Sequence, residues 1–260
     1  MGSTNKRIEL IMYVHVHHVP VPPKPPKLPN DWPFQLRKEG SANRKLESVK
    51  GASLPGFDGK WRLFSVEDIS GAGGGMSLNT PFGRGGLIQA GSYIFRPYRR
   101  GGLMARINSG TYSSPLRFEF EFVVHEALWN AGFPTVEPIG YAYRRHYLGY
   151  KGVFITRAAD AHPWPLHWGR SGSGGHIVQV AALIKALASW GLWAPDLNAG
   201  NFIVGANGQM LALDWDKAMW TIKWRLLKRY WARLRRSLIK LDAPQPMIEE
   251  IRHVLMDNGL

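Results

Sequence analysis

The segment WAPDLNAGNFIVGANGQMLALDWD, residues 193–216, constrains the fold more than any other part of this chain. At its centre the turn sequence A-N-G stands between two short apolar runs, which predicts a β-hairpin. A hairpin folds back on itself, so its exit lies near its entry. We therefore expect Asp196 and Asn201, which precede the hairpin, to meet Asp214, which follows it.

Three side chains with these oxygen donors suit phosphoryl transfer. Asp196 would position the attacking hydroxyl and accept its proton, while Asn201 and Asp214 would hold Mg²⁺ against the phosphates of ATP. The D-x-x-x-x-N spacing is common by chance, and the alternative is a polar loop with a turn asparagine. Because a hairpin and an apolar strand that ends in aspartate follow it, the pattern is typical of the catalytic and metal-binding loops of kinases.

Short strands separated by glycine turns are predicted where the sequence alternates between G-R-G-G, two apolar runs and Y-R-R-G-G. The G-R-G-G stretch is a candidate loop over phosphates, because glycine lets backbone N–H groups approach an anion closely. The stretch lacks the full G-x-G-x-x-G spacing, so it is a weak signal by itself. Its candidate residues are Gly83, Arg84, Gly85 and Gly86.

Residues 117–131 fit two patterns. Phenylalanine and glutamate alternate at the start, which is strand periodicity, but the run ends at Gly132 with a proline beyond, which is a helix stop. We favour a helix here, followed by strands over residues 136–142 and 152–156. Residues 176–190 are apolar nearly all round and predict a second, buried helix.

Composition limits the classes of function. The chain contains no cysteine, which excludes disulfides, thiol catalysis and cysteine-ligated zinc. No uncharged apolar run approaches the ~20 residues of a membrane span. The formal net charge of +14 predicts attraction to anionic partners such as phosphates or an acidic lipid surface. Residues 1–56 include the proline-rich V-P-V-P-P-K-P-P-K-L-P, so we expect a disordered arm there.

Four stretches resemble the Kdo kinase branch of the lipopolysaccharide kinase family, where Kdo is 3-deoxy-D-manno-octulosonic acid. DLNAGNFIV and LALDWDKA are similar to that branch's DLN-x-x-N loop and its aspartate–aromatic–aspartate motif. RPYRRGGL resembles its arginine-rich segment, and FEFVVHEALWNAGFP resembles its glutamate-bearing helix. The similarity covers residues 83–240 and leaves the first 56 residues outside.

The resemblance implies an α+β, protein-kinase-like fold with two lobes. An N-terminal lobe, residues 57–157, would hold a small antiparallel sheet with one helix. A C-terminal lobe, residues 158–260, would be mainly helical and carry the catalytic and metal loops. By position in the family's motifs, Asp196 would be the catalytic aspartate, and Asn201 and Asp214 would bind the metal.

The resemblance also implies a cation on an N-terminal strand that binds phosphate. Most kinases carry a lysine there, whereas Arg96 stands at this position in the present chain, as in the branch it resembles. A guanidinium stays charged and can pair with both a carboxylate and a phosphate. Glu121 would brace Arg96 from the helix, and Glu119 is its rival until the helix register is known.

Two further features leave alternatives open. The family commonly has a histidine two residues before the catalytic aspartate, but Ala194 and Pro195 precede Asp196 here, so a hydrogen bond that braces the loop is lost. Asp216 would be either a second metal ligand or the partner of Lys217.

Residues 217–240 are rich in lysine and arginine, lack acids and carry one apolar helical face. That face would pack on the core or rest on anionic lipid. Its members are Trp220, Trp224, Leu227, Trp231, Leu234 and Leu238.

The function implied by the resemblance is ATP- and Mg²⁺-dependent phosphorylation of a sugar hydroxyl, the 4-hydroxyl of Kdo on a lipid A precursor. The expected partners are a lipid-linked Kdo acceptor and an anionic membrane surface, on the cytoplasmic side of a bacterial inner membrane. No nucleic acid is expected, since the sequence contains no RNA-binding motif. The alternatives are a kinase for a heptose, aminoglycoside or protein hydroxyl, and a non-catalytic pseudokinase that binds anionic membrane or nucleic acid.

Overall fold

The computed structural model describes residues 44–78, 86–99, 110–147, 149–168, 173–221 and 225–256. The predicted proline-rich segment lies outside these residues. So do Gly83, Arg84 and Gly85 of the predicted phosphate loop.

A seven-stranded antiparallel sheet forms the N-terminal part of the protein. Its strands lie side by side in the order β1-β2-β6-β7-β5-β4-β3. β6 and β7, at the centre of this order, pair along their whole length. The strand bounds are β1 Glu47–Leu54, β2 Phe57–Ser65, β3 Met76–Leu78, β4 Leu87–Ala90, β5 Tyr93–Pro97, β6 Pro138–His146 and β7 Gly149–Arg157.

Strand alternation in β5 directs Arg96 toward the covered face of the sheet. Successive side chains of a strand point to opposite faces, and Phe95 is fully buried in the cluster on one of them. Arg96 is paired in register with Phe154 of β7. Phe154 packs against Phe122 of the first described helix, α1, which spans Leu116–Asn130. The Arg96 side chain therefore leaves the sheet on the side that α1 covers.

Helix α1 packs against both parts of the protein, and it confirms the helical interpretation of residues 117–131. Phe118 and Phe122, one helical turn apart, join the aromatic cluster beneath the sheet. Val124 and Leu128 belong instead to the main core of the C-terminal part. Phenylalanine and glutamate alternate at the start of the helix, which by itself suggests a strand. The two phenylalanines that are buried, however, are four residues apart, and this spacing places them on one face of a helix.

The C-terminal part is mainly helical, and three helices pack around one apolar core. They are α2 Ser173–Trp190, α3 Leu226–Lys240 and α4 Gln245–Met256. Five short strands accompany them: β8 Ala161–Pro163, β9 Leu192–Trp193, β10 Phe202–Gly205, β11 Met210–Ala212 and β12 Met219–Trp220. β10 and β11 form the predicted hairpin, and β8 pairs with its other edge. Within the described residues, no helix combines the length and the apolar character needed to cross a membrane.

This arrangement confirms the predicted α+β, protein-kinase-like fold class, but two predicted bounds need correction. β1 begins at Glu47 and pairs with β2. The disorder predicted for residues 1–56 is therefore wrong for the residues of this strand. The helix predicted over residues 217–240 begins only at Leu226. Lys217 and Arg225 have φ angles of 63° and 59°, a left-handed conformation that a helix of L-residues does not continue through.

The stripe predicted on that helix is divided by the same break. Trp220 lies in β12, and Trp224 is outside the described residues. Leu234 and Leu238 are buried in the core of the C-terminal part, and Leu227 and Trp231 pack against it. The described part of the stripe therefore follows the core interpretation.

Gly140, near the start of β6, provides a test of the sheet. It lies between β2 and β7, and a Cβ atom there would come within 2.9 Å of the Ser65 Cα and closer still to the Phe64 carbonyl oxygen. We expect Gly140→Ala to lower the free energy of unfolding by about 1–3 kcal/mol, because backbone must move to admit the methyl group. Urea denaturation measures this change.

Gly71 is the matched control for this substitution. A Cβ atom at Gly71 would meet nothing within 4 Å. Gly71→Ala should change the free energy of unfolding by no more than about 0.5 kcal/mol. Equal effects of the two substitutions would contradict the close packing of β2 against β6.

Candidate active site

Two asparagine side chains fold the loop that carries Asp196. Asn198 donates from Nδ2 to the Asp196 carbonyl oxygen at 2.7 Å, and its Oδ1 accepts from the Gly200 N–H at 2.9 Å. Asn201 donates to the same carbonyl oxygen at 2.8 Å. Both bonds hold the backbone of Asp196, so its carboxylate remains available for other contacts.

Helix α3 anchors this loop from behind. The Tyr230 hydroxyl accepts from the Ala194 N–H at 2.9 Å and donates to the Leu192 carbonyl oxygen at 2.8 Å. Ser237, two turns further along α3, accepts from the Ala199 N–H at 2.9 Å. Burial raises the pKa of the Tyr230 phenol above its usual range, so the hydroxyl keeps its proton and this donor role. Tyr230 thus braces the loop in which Ala194 and Pro195 stand before Asp196.

The hairpin returns the chain to this loop, as the sequence predicts. The Leu213 N–H donates to the Asn201 carbonyl oxygen at 2.8 Å, and Asn201 Nδ2 lies 3.5 Å from Asp214 Oδ2. Asp214 itself has a φ of 67°, an uncommon conformation for a residue other than glycine. The backbone carbonyl of Asp196 and the side chains of Asn201 and Asp214 therefore lie together at the hairpin exit.

Trp215 fixes the backbone on the far side of Asp214. Its ring is fully buried, and its Nε1 donates to Thr135 Oγ1 at 3.1 Å. Thr135 in turn donates to the Ala212 carbonyl oxygen at 2.7 Å. Because these bonds lie on both sides of Asp214, the chain can hold it in the left-handed conformation.

Arg96 joins the sheet to this cluster. Its guanidinium donates from Nη1 to Asp214 Oδ1 at 3.0 Å and from Nη2 to Glu121 Oε1 on α1. Glu121 is buried, whereas Glu119 points to solvent, so the helix register selects Glu121 as the partner of Arg96. Arg96 also stacks near the rings of Tyr98 and Phe154.

The electrostatics of this pair follow from its burial. Desolvation works against the charge of Arg96, but the carboxylates of Glu121 and Asp214 outweigh it and raise the pKa of Arg96 above its usual range. Burial raises the pKa of Glu121 to about 7, because Arg96 offsets the loss of solvent only in part.

A second ion pair links α1 to the segment after the hairpin. Arg117, in the first turn of α1, donates to Asp216 Oδ2 and lies over the ring of Tyr112. Asp216 is largely buried, and its Oδ1 has no hydrogen-bond partner among the described residues. The structure thus pairs Asp216 with Arg117 and not with Lys217, the partner considered from the sequence.

Lys217 contacts Asp196 instead. Its Nζ lies 2.9 Å from Asp196 Oδ2, and Arg233 of α3 lies 3.7 Å from Asp196 Oδ1. Sequence reasoning missed both of these residues. A single cation in a chain of net charge +14 is not distinctive, and the only available signal was the position of Lys217 directly after the D-W-D motif.

The predicted glycine loop is described only at its end. Gly86 has a φ of 79°, and a Cβ atom there would overlap the guanidinium of Arg99. The left-handed φ favours glycine at this position, whereas the flexible Arg99 side chain could move aside to admit a methyl group. The contribution of Gly83, Arg84 and Gly85 stays a prediction.

The side-chain oxygen atoms of Asn201 and Asp214 at the hairpin exit are suited to a hard divalent cation, provided that a nucleotide supplies further ligands. Asn201 directs its amide nitrogen toward the Asp196 backbone, so its amide oxygen faces away and accepts no hydrogen bond from a described residue. Asp214 contributes a carboxylate that is about one-third exposed. No cluster of three or more His, Asp or Glu side chains within the described ranges forms a metal cage. An ion here would depend on phosphate oxygens and water for its remaining ligands, as Mg²⁺ does in many phosphoryl-transfer sites.

Comparisons with known proteins identify a family that matches most of the chain. The model of the lipopolysaccharide kinase (Kdo/WaaP) family matches residues 65–254. A 3-deoxy-D-manno-octulosonic acid kinase of Xanthomonas campestris pv. campestris (strain B100) is 31% identical over 182 residues, 67% of this chain and 69% of that protein. A protein of the same name from Xylella fastidiosa (strain M12) is 30% identical over 159 residues, 58% of this chain and 63% of that protein.

Among solved structures, similarity is found to a divergent kinase that lacks the glycine-rich loop and regulates the membrane ultrastructure of the Toxoplasma parasitophorous vacuole. The identity is 16% and the TM-score 0.35, and the match covers 64% of this chain and 79% of that one.

The raised pKa of Glu121 predicts a pH dependence of stability. The folded-state pKa of about 7 lies above the ordinary value of 4.5, so the stabilising contribution of the protonated form is lost as the pH rises through 7. We expect the wild type to lose stability relative to Glu121→Gln as the pH rises from about 4.5, the ordinary value, to about 7, the folded-state value. Chemical denaturation at a series of pH values measures both curves.

Glu119→Gln is the control, because Glu119 lies two residues away on the exposed side of α1. Its stability should follow the wild-type pH curve. A wild-type stability that stays constant or rises relative to that of Glu121→Gln as the pH increases would contradict the electrostatic description of the pair.

Proposed function

This chain belongs to the lipopolysaccharide kinase (Kdo/WaaP) family, and from that membership we propose that it transfers the γ-phosphoryl group of ATP to the 4-hydroxyl of Kdo on a lipid A precursor. The family makes the protein a phosphotransferase of lipopolysaccharide biosynthesis. The nucleotide, the acceptor and the hydroxyl that reacts are the parts of the proposal that go further.

One observation carries the proposal: Asp196, Asn201 and Asp214 meet at the hairpin exit, and Arg96 reaches the same cluster from the sheet. Phosphoryl transfer depends mainly on positioning and on cations that offset the charge of the phosphates. The cluster offers a carboxylate for the acceptor, oxygen ligands for a divalent ion and an arginine that stays charged. These residues come from three separate segments of the chain.

The proposed step assigns one task to each residue. The carboxylate of Asp196 accepts the proton of the acceptor hydroxyl as that oxygen forms a bond to the γ-phosphorus of ATP. The bond from the γ-phosphorus to the bridging oxygen breaks, and ADP leaves. Arg96, held by Glu121, neutralises phosphate charge, and Asn201 and Asp214 would hold Mg²⁺, which offsets the charge on the phosphates when it is bound.

The bracing of the loop by Tyr230 supports a catalytic protein over a pseudokinase. A missing histidine would weaken the loop if nothing replaced it. Here the Tyr230 hydroxyl bonds to the backbone on both sides of Trp193, and Asn198 and Asn201 hold the backbone of Asp196. The loop therefore has its own set of hydrogen bonds, which favours retention of the catalytic geometry.

The exposed side of α3 supports the proposed docking on an anionic membrane. The inner side of α3 is buried through Leu226, Tyr230, Leu234 and Leu238. Its exposed positions carry a row of cations and an exposed Ile239. Such a surface would rest on acidic lipid headgroups, on the cytoplasmic side of the inner membrane, where a lipid-linked acceptor would be found. The exposed cations are Lys228, Arg229, Arg235, Arg236 and Lys240.

Asp196→Asn tests the mechanism. With labelled ATP and a Kdo-bearing lipid A precursor, we expect kcat to fall by about 10²–10⁴-fold, because the proton acceptor is lost. Magnesium-dependent ATP binding, followed by thermal shift, should persist in this variant and be lost in Asp214→Asn. Asp160→Asn, which removes a solvent-exposed carboxylate, is the control and should behave as wild type.

The outcomes separate the parts of the proposal. Full transfer by Asp196→Asn would reject the mechanism. ATP binding by the wild type without transfer to the Kdo acceptor would reject the acceptor, and a panel of heptose, aminoglycoside and protein hydroxyls would then identify the class. Absence of both ATP binding and transfer would reject the kinase activity.

A charge-neutralised α3 tests membrane docking. Replacing Lys228, Arg235, Arg236 and Lys240 by glutamine should weaken binding to vesicles that contain anionic lipid by about a hundredfold or more, since each cation near such a surface contributes about 1 kcal/mol. Sedimentation with vesicles measures the binding.

The control removes the same number of exposed cations from the sheet. Lys50, Lys60, Arg62 and Arg145 serve this purpose. An equal loss of binding in both variants would show that net charge, and not the surface of α3, attracts the membrane.

A further inference from the structure

Two cations contact the carboxylate of Asp196, and the proposed reaction assigns no role to either of them. Lys217 Nζ lies 2.9 Å from Asp196 Oδ2, and Arg233 Nη2 lies 3.7 Å from Asp196 Oδ1. The two cations therefore take different oxygens of the same carboxylate. They come from different elements, the turn after the D-W-D motif and the middle of α3.

Both cations have hydrogen-bonding capacity to spare. A lysine ammonium has three donors, and only one of those of Lys217 is used on Asp196. The contact of Arg233 is too long for a hydrogen bond, and its buried Nε has no partner among the described residues. The side chains of Lys217 and Arg233 are 49% and 35% exposed, so a ligand can reach them.

The position of Lys217 is fixed by the fold. It has a left-handed φ of 63° between two buried residues, Asp216 before it and Ala218 after it. The Ala218 N–H donates to the Trp215 carbonyl oxygen at 2.9 Å and closes this turn. The turn therefore directs an exposed ammonium at Asp196 in a conformation that a lysine adopts only at a cost.

The two aspartates of the site have separate cation partners. Asp214 pairs with Arg96, which reaches it from the sheet. Asp196 pairs with Lys217 and Arg233, both from the C-terminal part. Because Arg96 and the metal ligands already serve the phosphates in the proposed reaction, the second set of cations lies at the position left for the acceptor.

We propose that Lys217 and Arg233 form an anion site that binds a carboxylate of the acceptor sugar and so directs its hydroxyl at Asp196. The inference rests on the proposed function and names the feature of the substrate that the site recognises: an acidic group on the sugar that is phosphorylated. 3-Deoxy-D-manno-octulosonic acid is such a sugar acid. An arginine and a lysine together give a carboxylate two charge-assisted partners.

The test removes the charge from the enzyme and from the substrate separately. Transfer is measured with the Kdo-bearing lipid A precursor and with the same precursor after conversion of the Kdo carboxyl group to a carboxamide. For wild type we expect the carboxamide to raise the acceptor KM by roughly tenfold to hundredfold. For Lys217→Gln and Arg233→Gln we expect the KM for the acid acceptor to rise by a similar factor. Conversion of the acceptor to the carboxamide should then change its KM little further, and the KM for ATP should stay the same.

Lys50→Gln and Arg252→Gln are matched controls, since both remove exposed cations that have no contact with Asp196. They should keep the wild-type preference for the acid. A preference for the acid that is undiminished in Lys217→Gln and Arg233→Gln would overturn the inference. So would a fall in kcat that is equal for both acceptors with KM unchanged, because that would place the cations on the transferred phosphate.

Failure of the proposed function gives a different result. If the wild type transfers phosphate to neither acceptor, the acceptor assignment is wrong and this inference is rejected with it. If the wild type phosphorylates acid and carboxamide equally well, the kinase activity stands and only the carboxylate site is rejected.

Discussion

The guanidinium of Arg96 is the contact on which the rest of the site depends. It pairs with both Glu121 on α1 and Asp214 after the hairpin, and Arg96 itself lies on β5 of the sheet. Glu121 is buried, so its ionised form is costly without this cation. A single side chain thereby joins a strand, a helix and the segment that carries Asp214, three elements that are distant in the sequence.

Helix α1 is held to the same segment a second time. Arg117 in its first turn pairs with Asp216, and Arg96 connects Glu121, one turn further on, to Asp214. The same helix packs its phenylalanines beneath the sheet and its later apolar residues into the other core. A displacement of α1 would break both ion pairs and both packing contacts at once, so the position of this helix and the geometry of Asp214 are coupled.

Those parts of the site that follow from local structure were predictable from the sequence. A turn signal fixes the hairpin, and the hairpin brings Asp214 back to Asn201, as the structure shows. The choice of Glu121 over Glu119 needed the helix register, which follows from the burial of Phe118 and Phe122. Lys217 and Arg233 were not predictable, because their contact with Asp196 depends on a left-handed turn and on how α3 packs. The start of α3 at Leu226 was not predicted for the same reason. Residues other than glycine that adopt a left-handed conformation cannot be recognised from the sequence.

Helix α3 explains how a loop without the usual histidine can keep its shape. Its buried side provides Tyr230 and Ser237, which bind the backbone before and after Asp196, and Arg233 on the same helix reaches the Asp196 carboxylate. The opposite side of the helix carries exposed cations. Because a helix is stiff over this length, any surface that these cations contact is held at a fixed distance from Asp196. If that surface is the membrane, docking of α3 would also set the depth at which a lipid-linked sugar meets the catalytic carboxylate, so one rigid element would serve both attachment and alignment.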